Sequence, residues 1–213
     1  MNLLDYSSVS YIAEGMLITF NFTMVSFFIG LILGAFIALM KTSKFKVLNY
    51  IAIFYVSLFR GTPVLVQLSI VYFALPLSLG FKINAYQAGI ITFSLNSAAY
   101  ICEILRMGIN SICKGQFEAA QALNISYKDT MGKIVFPQAF KTSLPALVNE
   151  FVNLLKETAI ISFVGVYDLM KRAQVVAAEK YIYMEPLLIA AGCYYFMVVV
   201  FSSLAKYIEK RVA

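Results

Sequence analysis

Apolar residues in this chain come in long runs, not in the two-residue alternation of strands or the narrow stripe of a surface helix. The first run, Gly15 to Met40, holds no charged residue and stops at Lys41, Lys44 and Lys46. A second extends from about Tyr50 to Leu75, interrupted by Arg60-Gly61-Thr62-Pro63 and closed by Pro76 and Gly80. A third, Asn84 to Gly108, carries Glu103 and Arg106 in its last turns. The fourth, Ser143 to Val166, contains Glu150, Asn153, Lys156 and Glu157. The fifth, Pro186 to Tyr207, ends at Lys206, Lys210 and Arg211. Each run is close to the roughly 20 residues that cross a bilayer as a helix. The pattern predicts an all-α integral membrane protein with five transmembrane helices, in one domain over residues 1–213.

One stretch breaks this pattern. Gly115 to Phe140, GQFEAAQALNISYKDTMGKIVFPQAF, is polar and helix-prone and cannot enter a membrane. Its first part, Gln116 to Leu123, is rich in Ala, Gln and Glu, which favours helix. Asn124 tolerates the left-handed conformation that ends a helix. Ser126 then offers an N-cap oxygen with Asp129 three residues on, and Pro137 is expected to stop the second helix. Two short helices result, exposing Ala119, Ala120 and Leu123. An amphipathic helix lying on lipid would show bulky apolar residues and a basic face. Small alanines and Glu118 suit contact with another protein instead.

Composition agrees with a membrane protein: 61% hydrophobic and 13% charged residues in 213, with a mean hydropathy of +0.81. The net charge of +6 would raise nucleic acid as a partner in a soluble chain. Here it reads as the excess of Lys and Arg found in cytoplasmic loops. With the N-terminus outside, the inner side receives ten basic residues: Lys41, Lys44, Lys46, Lys114, Lys128, Lys133, Lys141, Lys206, Lys210 and Arg211. The outer loops receive four: Lys82, Lys171, Arg172 and Lys180. The polar stretch therefore faces the cytoplasm. Cys102, Cys113 and Cys193 form no CxxC pair and the chain has no histidine, so neither a disulfide framework nor a zinc site is expected. Gly132-Lys133 lacks the glycine and hydroxyl residue of a phosphate loop, so no ATP or other cofactor is expected on this chain.

Several motifs resemble the permeases of ATP-binding-cassette importers. Glu118-Ala119-Ala120 with Asn124, Ile134 and Pro137 is similar to their EAA loop, with Asn124 where the family usually has glycine. Phe59-Arg60-Gly61-Thr62-Pro63 with Val66-Gln67, and Ala99-Tyr100 with Glu103, Arg106 and Gly115-Gln116, resemble the polar amino-acid branch. Leu154-Leu155-Lys156-Glu157-Thr158 with Ser162 and Gly165-Val166 does so too, with Ala159 in place of Ser. The resemblance implies a type I importer fold in the bacterial inner membrane. It also implies a second permease copy or homologue, a cytoplasmic ATPase dimer gripped by the EAA helices, and an extracytoplasmic amino-acid-binding protein. Glu118, Ala119, Ala120, Leu123, Asn124 and Pro137 would then couple ATP hydrolysis to transport.

Charges inside spans are costly, about 2.5–3.5 kcal/mol each on insertion scales, and mark function or pairing. Glu150, Asn153 and Glu157 share one helix face by their spacing. Together with Asn96 they are the candidate substrate residues. Within the family, members that bind amino acids in the permease have counterparts of Asn96 and Glu150 and take basic amino acids. The bland expectation is that Glu150 and Glu157 pair with Arg60, Arg106 or Lys156. Arg60-Gly61-Thr62-Pro63 is either a gate or wall of the pathway, or a kink stabilised by Thr62. The alternative to an ATP-driven importer is an ion-driven carrier or channel using the intramembrane carboxylates.

Overall fold

The computed structural model describes residues 5–43 and 45–212, with side chains described as far as Lys206. Lys44 and the side chains of Lys210 and Arg211, counted above among the inner cations, lie outside the described residues. All regular structure among the described residues is helical. The elements are α1 Tyr6–Lys41, α2 Lys46–Gly61, α3 Val64–Ser69, α4 Leu75–Leu79, α5 Ala85–Asn110, α6 Lys114–Ala122, α7 Tyr127–Asp129, α8 Phe136–Glu157, α9 Leu169–Lys180 and α10 Met184–Val212. α1, α5 and α10 are long and apolar enough to cross a membrane, and α2 with α3–α4 can make a fourth crossing bent by 102°. α8, at about 33 Å for 22 residues, has the length for a span but carries Lys141, Glu150, Lys156 and Glu157 and is less apolar than α1, α5 and α10.

α1 and α5 run in the same direction. Tyr86 donates to Asn21 at 2.8 Å near one end, and Lys41 meets Glu103 near the other. Gly30 and Gly34 allow the contact: a Cβ on Gly34 would lie 2.8 Å from the Ala98 carbonyl. α8 returns antiparallel to α5. Gly108 touches Ala139 and Ser143 at one end, and Ser97 donates to Glu150 farther along. α10 and α9 close the side of α1 around a core of Ile12, Phe151, Leu155, Leu169, Val176 and Met197.

Two helix-terminating expectations fail for the same reason. Pro76 does not end a helix, because a wide π turn at Ile70–Ala74 leads into α4, which ends at Gly80 with φ 71. Pro137 does not end one either: a second π turn, Thr130–Val135, joins α7 to α8 without a break. Proline clashes with the carbonyl four residues back, and each wide turn ends two residues before the proline. The second of the two short helices expected in the polar stretch is therefore the continuous start of α8.

The stretch after Asp168, read above as an outer loop, contains α9. Asp168 is 1% exposed and caps this helix, accepting from Lys171 N at 2.8 Å. Arg172 pairs with Glu14 at 3.0 Å and donates to the Tyr11 carbonyl, while Lys180 pairs with Asp5. Three of the four supposed loop cations thus belong to this helix, which is anchored on the start of α1.

Candidate functional site

The bend between α2 and α3 originates at Thr62, the residue before Pro63. Such a residue is pushed out of the helical region, and Thr62 is extended at φ −124, ψ 144. Gly61 stays inside α2 and does not make the turn. Pro63 has no N–H for the Phe59 carbonyl four residues earlier, so that half-buried acceptor is stranded. Two side chains supply the missing donors. Gln67 Nε2 lies 2.9 Å from the Phe59 carbonyl and 3.0 Å from that of Thr62. Asn96 Nδ2 lies 3.2 Å from the same Phe59 carbonyl and 3.1 Å from Gln67 Oε1. Thr62 also donates to Leu58 O at 2.8 Å, a bond back into the last turn of α2. Beside it, a cleft of about 300 Å³ is walled by Phe59, Thr62, Gln67, Val71, Thr92 and Leu95.

One position after Asn96, Ser97 donates to Glu150 at 2.8 Å across the α5–α8 contact. Asn96 and Glu150 are both buried and lie at neighbouring levels of α5, Asn96 bonded to the α2–α3 break and Glu150 to Ser97. Asn153 and Glu157 continue the same face of α8 but are exposed. The expected ion pairs are not formed: among the described residues neither Glu150 nor Glu157 has a basic partner within 4.0 Å, and Arg60 and Arg106 both turn to Glu103 instead. Sequence analysis missed Ser97 and the role of Gln67. A single serine between Asn96 and Ala98 carries no periodic signal, whereas an acceptor stranded by Pro63 could have prompted a search for a nearby amide.

Glu103 gathers three cations. Arg106 grips one carboxylate oxygen through Nε at 3.1 Å and Nη2 at 2.9 Å, and Lys41 takes the other. Arg60 approaches only to 4.0 Å, with its guanidinium 5.1 Å above the Tyr100 ring. The cluster joins α1, α2 and α5 near the end that leads into α6.

At that end the polar stretch forms as expected in its first part. α6 closes at Leu123, Asn124 adopts φ 53, and the Ser126 hydroxyl accepts from Asp129 N at 3.1 Å. The Lys133 ammonium at 2.7 Å and the Ser126 hydroxyl hold the Asp129 carboxyl below its ordinary value. Gln116 and Gln138 exchange amide hydrogen bonds of 3.1 and 2.9 Å, which ties α6 to the first turns of α8. Glu118, Ala119 and Asn124 are exposed and Leu123 is 73% exposed. Ala120 is a correction: at 3% exposure it faces inward and cannot be a docking contact, and its carbonyl accepts from Ile125 N at 2.9 Å. Pro137 is exposed in the first turn of α8.

Residues 30–213 match the profile of the binding-protein-dependent transport system inner membrane component family. The chain belongs to that family. It is accordingly a transport component of a bacterial inner membrane and not an enzyme. A putative glutamine transport system permease protein GlnP of Rickettsia typhi is 50% identical over 97% of this chain and 94% of its own length. The arginine transport system permease protein ArtQ of Bacillus subtilis is 47% identical over 99% and 98%. Among solved structures, an amino acid ABC transporter with histidines superposes with a TM-score of 0.92 at 39% identity, covering 98% of this chain and 99% of the other. The MetNI methionine ABC transporter shares the fold, with a TM-score of 0.81 at 18% identity.

Proposed function

We propose that this chain is the permease of an ATP-driven amino-acid importer, a single membrane domain that pairs with a second copy or a homologue. Its five passes would be α1, α2 with α3–α4, α5, α8 and α10, with the N-terminus outside. Relatives named for glutamine and arginine transport support the amino-acid reading. An extracytoplasmic binding protein would deliver substrate to the end where α9 meets α1. Asn96, Glu150, Asn153 and Glu157 would line the substrate path. A buried carboxylate with a hydroxyl as its hydrogen-bond partner and no cation suits an incoming ammonium or guanidinium, which favours arginine, lysine or histidine.

The observation that carries the coupling proposal is the exposure of Leu123 at the tip of α6, with Tyr127 65% exposed beside it. These apolar side chains flank the turn between α6 and α7, which is tied into two spans, at a place with no bilayer core to cover them. A cytoplasmic ATPase dimer that grips this tip would move α5 and α8 together through Gly108, Ser143 and the Gln116–Gln138 pair. Co-purification in mild detergent, followed by ATP hydrolysis with an amino-acid panel and the binding protein, tests this. Stimulation by one or more polar amino acids is expected. Uptake that persists without ATP and collapses with an ionophore would favour the ion-driven carrier instead.

A further inference from the structure

Glu103 carries three basic neighbours and only two of them are satisfied. Both carboxylate oxygens are taken, one by Lys41 and one by the Nε–Nη2 fork of Arg106. Arg60 stops 4.0 Å away, beyond hydrogen-bond distance. Among the described residues its guanidinium donates no hydrogen bond, although it has five N–H donors in a planar fork. The side chain is 43% exposed and its plane is steadied over Tyr100. Three positive charges against one negative leave an excess that an anion would relieve. A planar fork on a fixed platform fits a carboxylate through two parallel hydrogen bonds.

Position identifies which carboxylate. Arg60 ends α2 directly before the Thr62–Pro63 break, and Phe59 is bonded to Asn96. Tyr100, which carries the guanidinium, lies four residues beyond Asn96 on α5, about 6 Å along the helix. Ser97 and Glu150 lie at the Asn96 level. The site therefore has a buried carboxylate at one level and an unused guanidinium about one helical turn away, a separation close to the length of an amino acid. We infer that Arg60 receives the α-carboxylate of the transported amino acid while Glu150 faces its cationic end, the side chain of a basic substrate or the α-ammonium of a neutral one. This rests on the amino-acid reading above and adds to it the group that recognises the carboxylate.

The test uses the permease purified with its ATPase and titrated calorimetrically without binding protein. The probes are two pairs differing only in the carboxylate: L-arginine against agmatine, and L-glutamine against 4-aminobutanamide. The intact amino acid of at least one pair is expected to bind ten-fold or more tightly than its decarboxylated partner. Arg60→Gln should bring the two together by weakening the amino acid alone, and Arg60→Lys, which keeps the charge but not the fork, should fall between. Co-purification with the ATPase and an unchanged melting temperature serve as the fold readout for both variants. Equal binding within each pair in the unaltered complex, or an undiminished preference in a folded Arg60→Gln complex, overturns the inference; the guanidinium would then serve a lipid phosphate or an acidic residue of a second copy. Absence of any binding overturns it as well. The importer reading is judged apart from this, by amino-acid stimulation of ATP hydrolysis with the binding protein present.

Discussion

Asp168 shows how a single buried group can impose a pH dependence. Burial pushes its carboxyl up to about 6 from an ordinary 3.8, although it accepts from Lys171 N and from the Tyr194 hydroxyl at 3.3 Å. A folded-state value raised above the unfolded one favours folding most below the unfolded value and progressively less as pH rises through the folded value. The junction of α9 with α1 should therefore be tighter at pH 5 than at pH 7.5. Hydrogen exchange at the Leu169 amide, donated to Thr19 Oγ1 at 3.1 Å, reads this out after correction for intrinsic rates. Asp168→Asn should flatten the difference, and stronger protection at pH 7.5 would contradict the assignment. Gln67 makes a comparable residue-scale case. Gln67→Leu removes the donor to the Thr62 carbonyl and one of the two donors to the Phe59 carbonyl at the α2–α3 break, and should cost about 0.5–1.5 kcal/mol for each hydrogen bond lost. Thermal melting of the purified protein checks it.

At the scale of elements, the important joint is α6 with α8. The Ser126 cap and the left-handed Asn124 were legible because both depend on local chemistry, the reach of a hydroxyl and the tolerance of Asn for positive φ. The inward turn of Ala120 was not legible. On a nine-residue helix with adjacent alanines at Ala119 and Ala120, nothing local distinguishes the one that turns inward from the one that looks outward. Substitutions that probe docking should therefore avoid Ala120. Glu118→Lys with Leu123→Asp, both on exposed positions, should abolish retention of the ATPase while leaving the melting temperature within a degree or two. A double variant that still carries the ATPase through size exclusion would refute α6 as the grip. The π turn before Pro137 was equally hidden, since sequence marks a proline but not whether the chain can widen one turn to pass it. That turn makes α7 the first turn of α8, and the Gln116–Gln138 pair ties α6 to the same rod.

At the scale of the whole molecule, direction is the open quantity, and a native thiol reports it. Cys113 is exposed at the start of α6, while Cys102 is buried and Cys193 partly so. In right-side-out vesicles an impermeant maleimide should leave Cys113 unlabelled and should label a Tyr181→Cys variant, whose position is 90% exposed between α9 and α10. The reverse pattern would invert the topology. The contact of α1 with α5 offers a stability check. Gly34→Leu forces side-chain atoms into the Ala98 carbonyl and Ile101, and overpacking of this kind should cost about 1–3 kcal/mol or more. Melting-temperature loss on that variant is the measurement.

Sequence alone determined that this chain lies in a membrane, that its apolar runs fall on helices, and where its polar joint lies between α5 and α8. Those features follow from hydropathy, caps and proline chemistry, which act over a few neighbouring residues. Tertiary structure decided which buried polar group answers which. Asn96 and Gln67 are spent on the carbonyls freed by Pro63, Glu150 meets Ser97, and Glu103 rather than Glu150 collects the arginines. The cross-helix pairings of Asn96 with Gln67, Ser97 with Glu150 and Lys41 with Glu103 join positions about 30 to 60 residues apart on helices whose rotation and register are set by close contacts such as Gly34 on Ala98. Neither propensity nor spacing within one helix carries that information, because a partner on another helix is selected only when the helices pack.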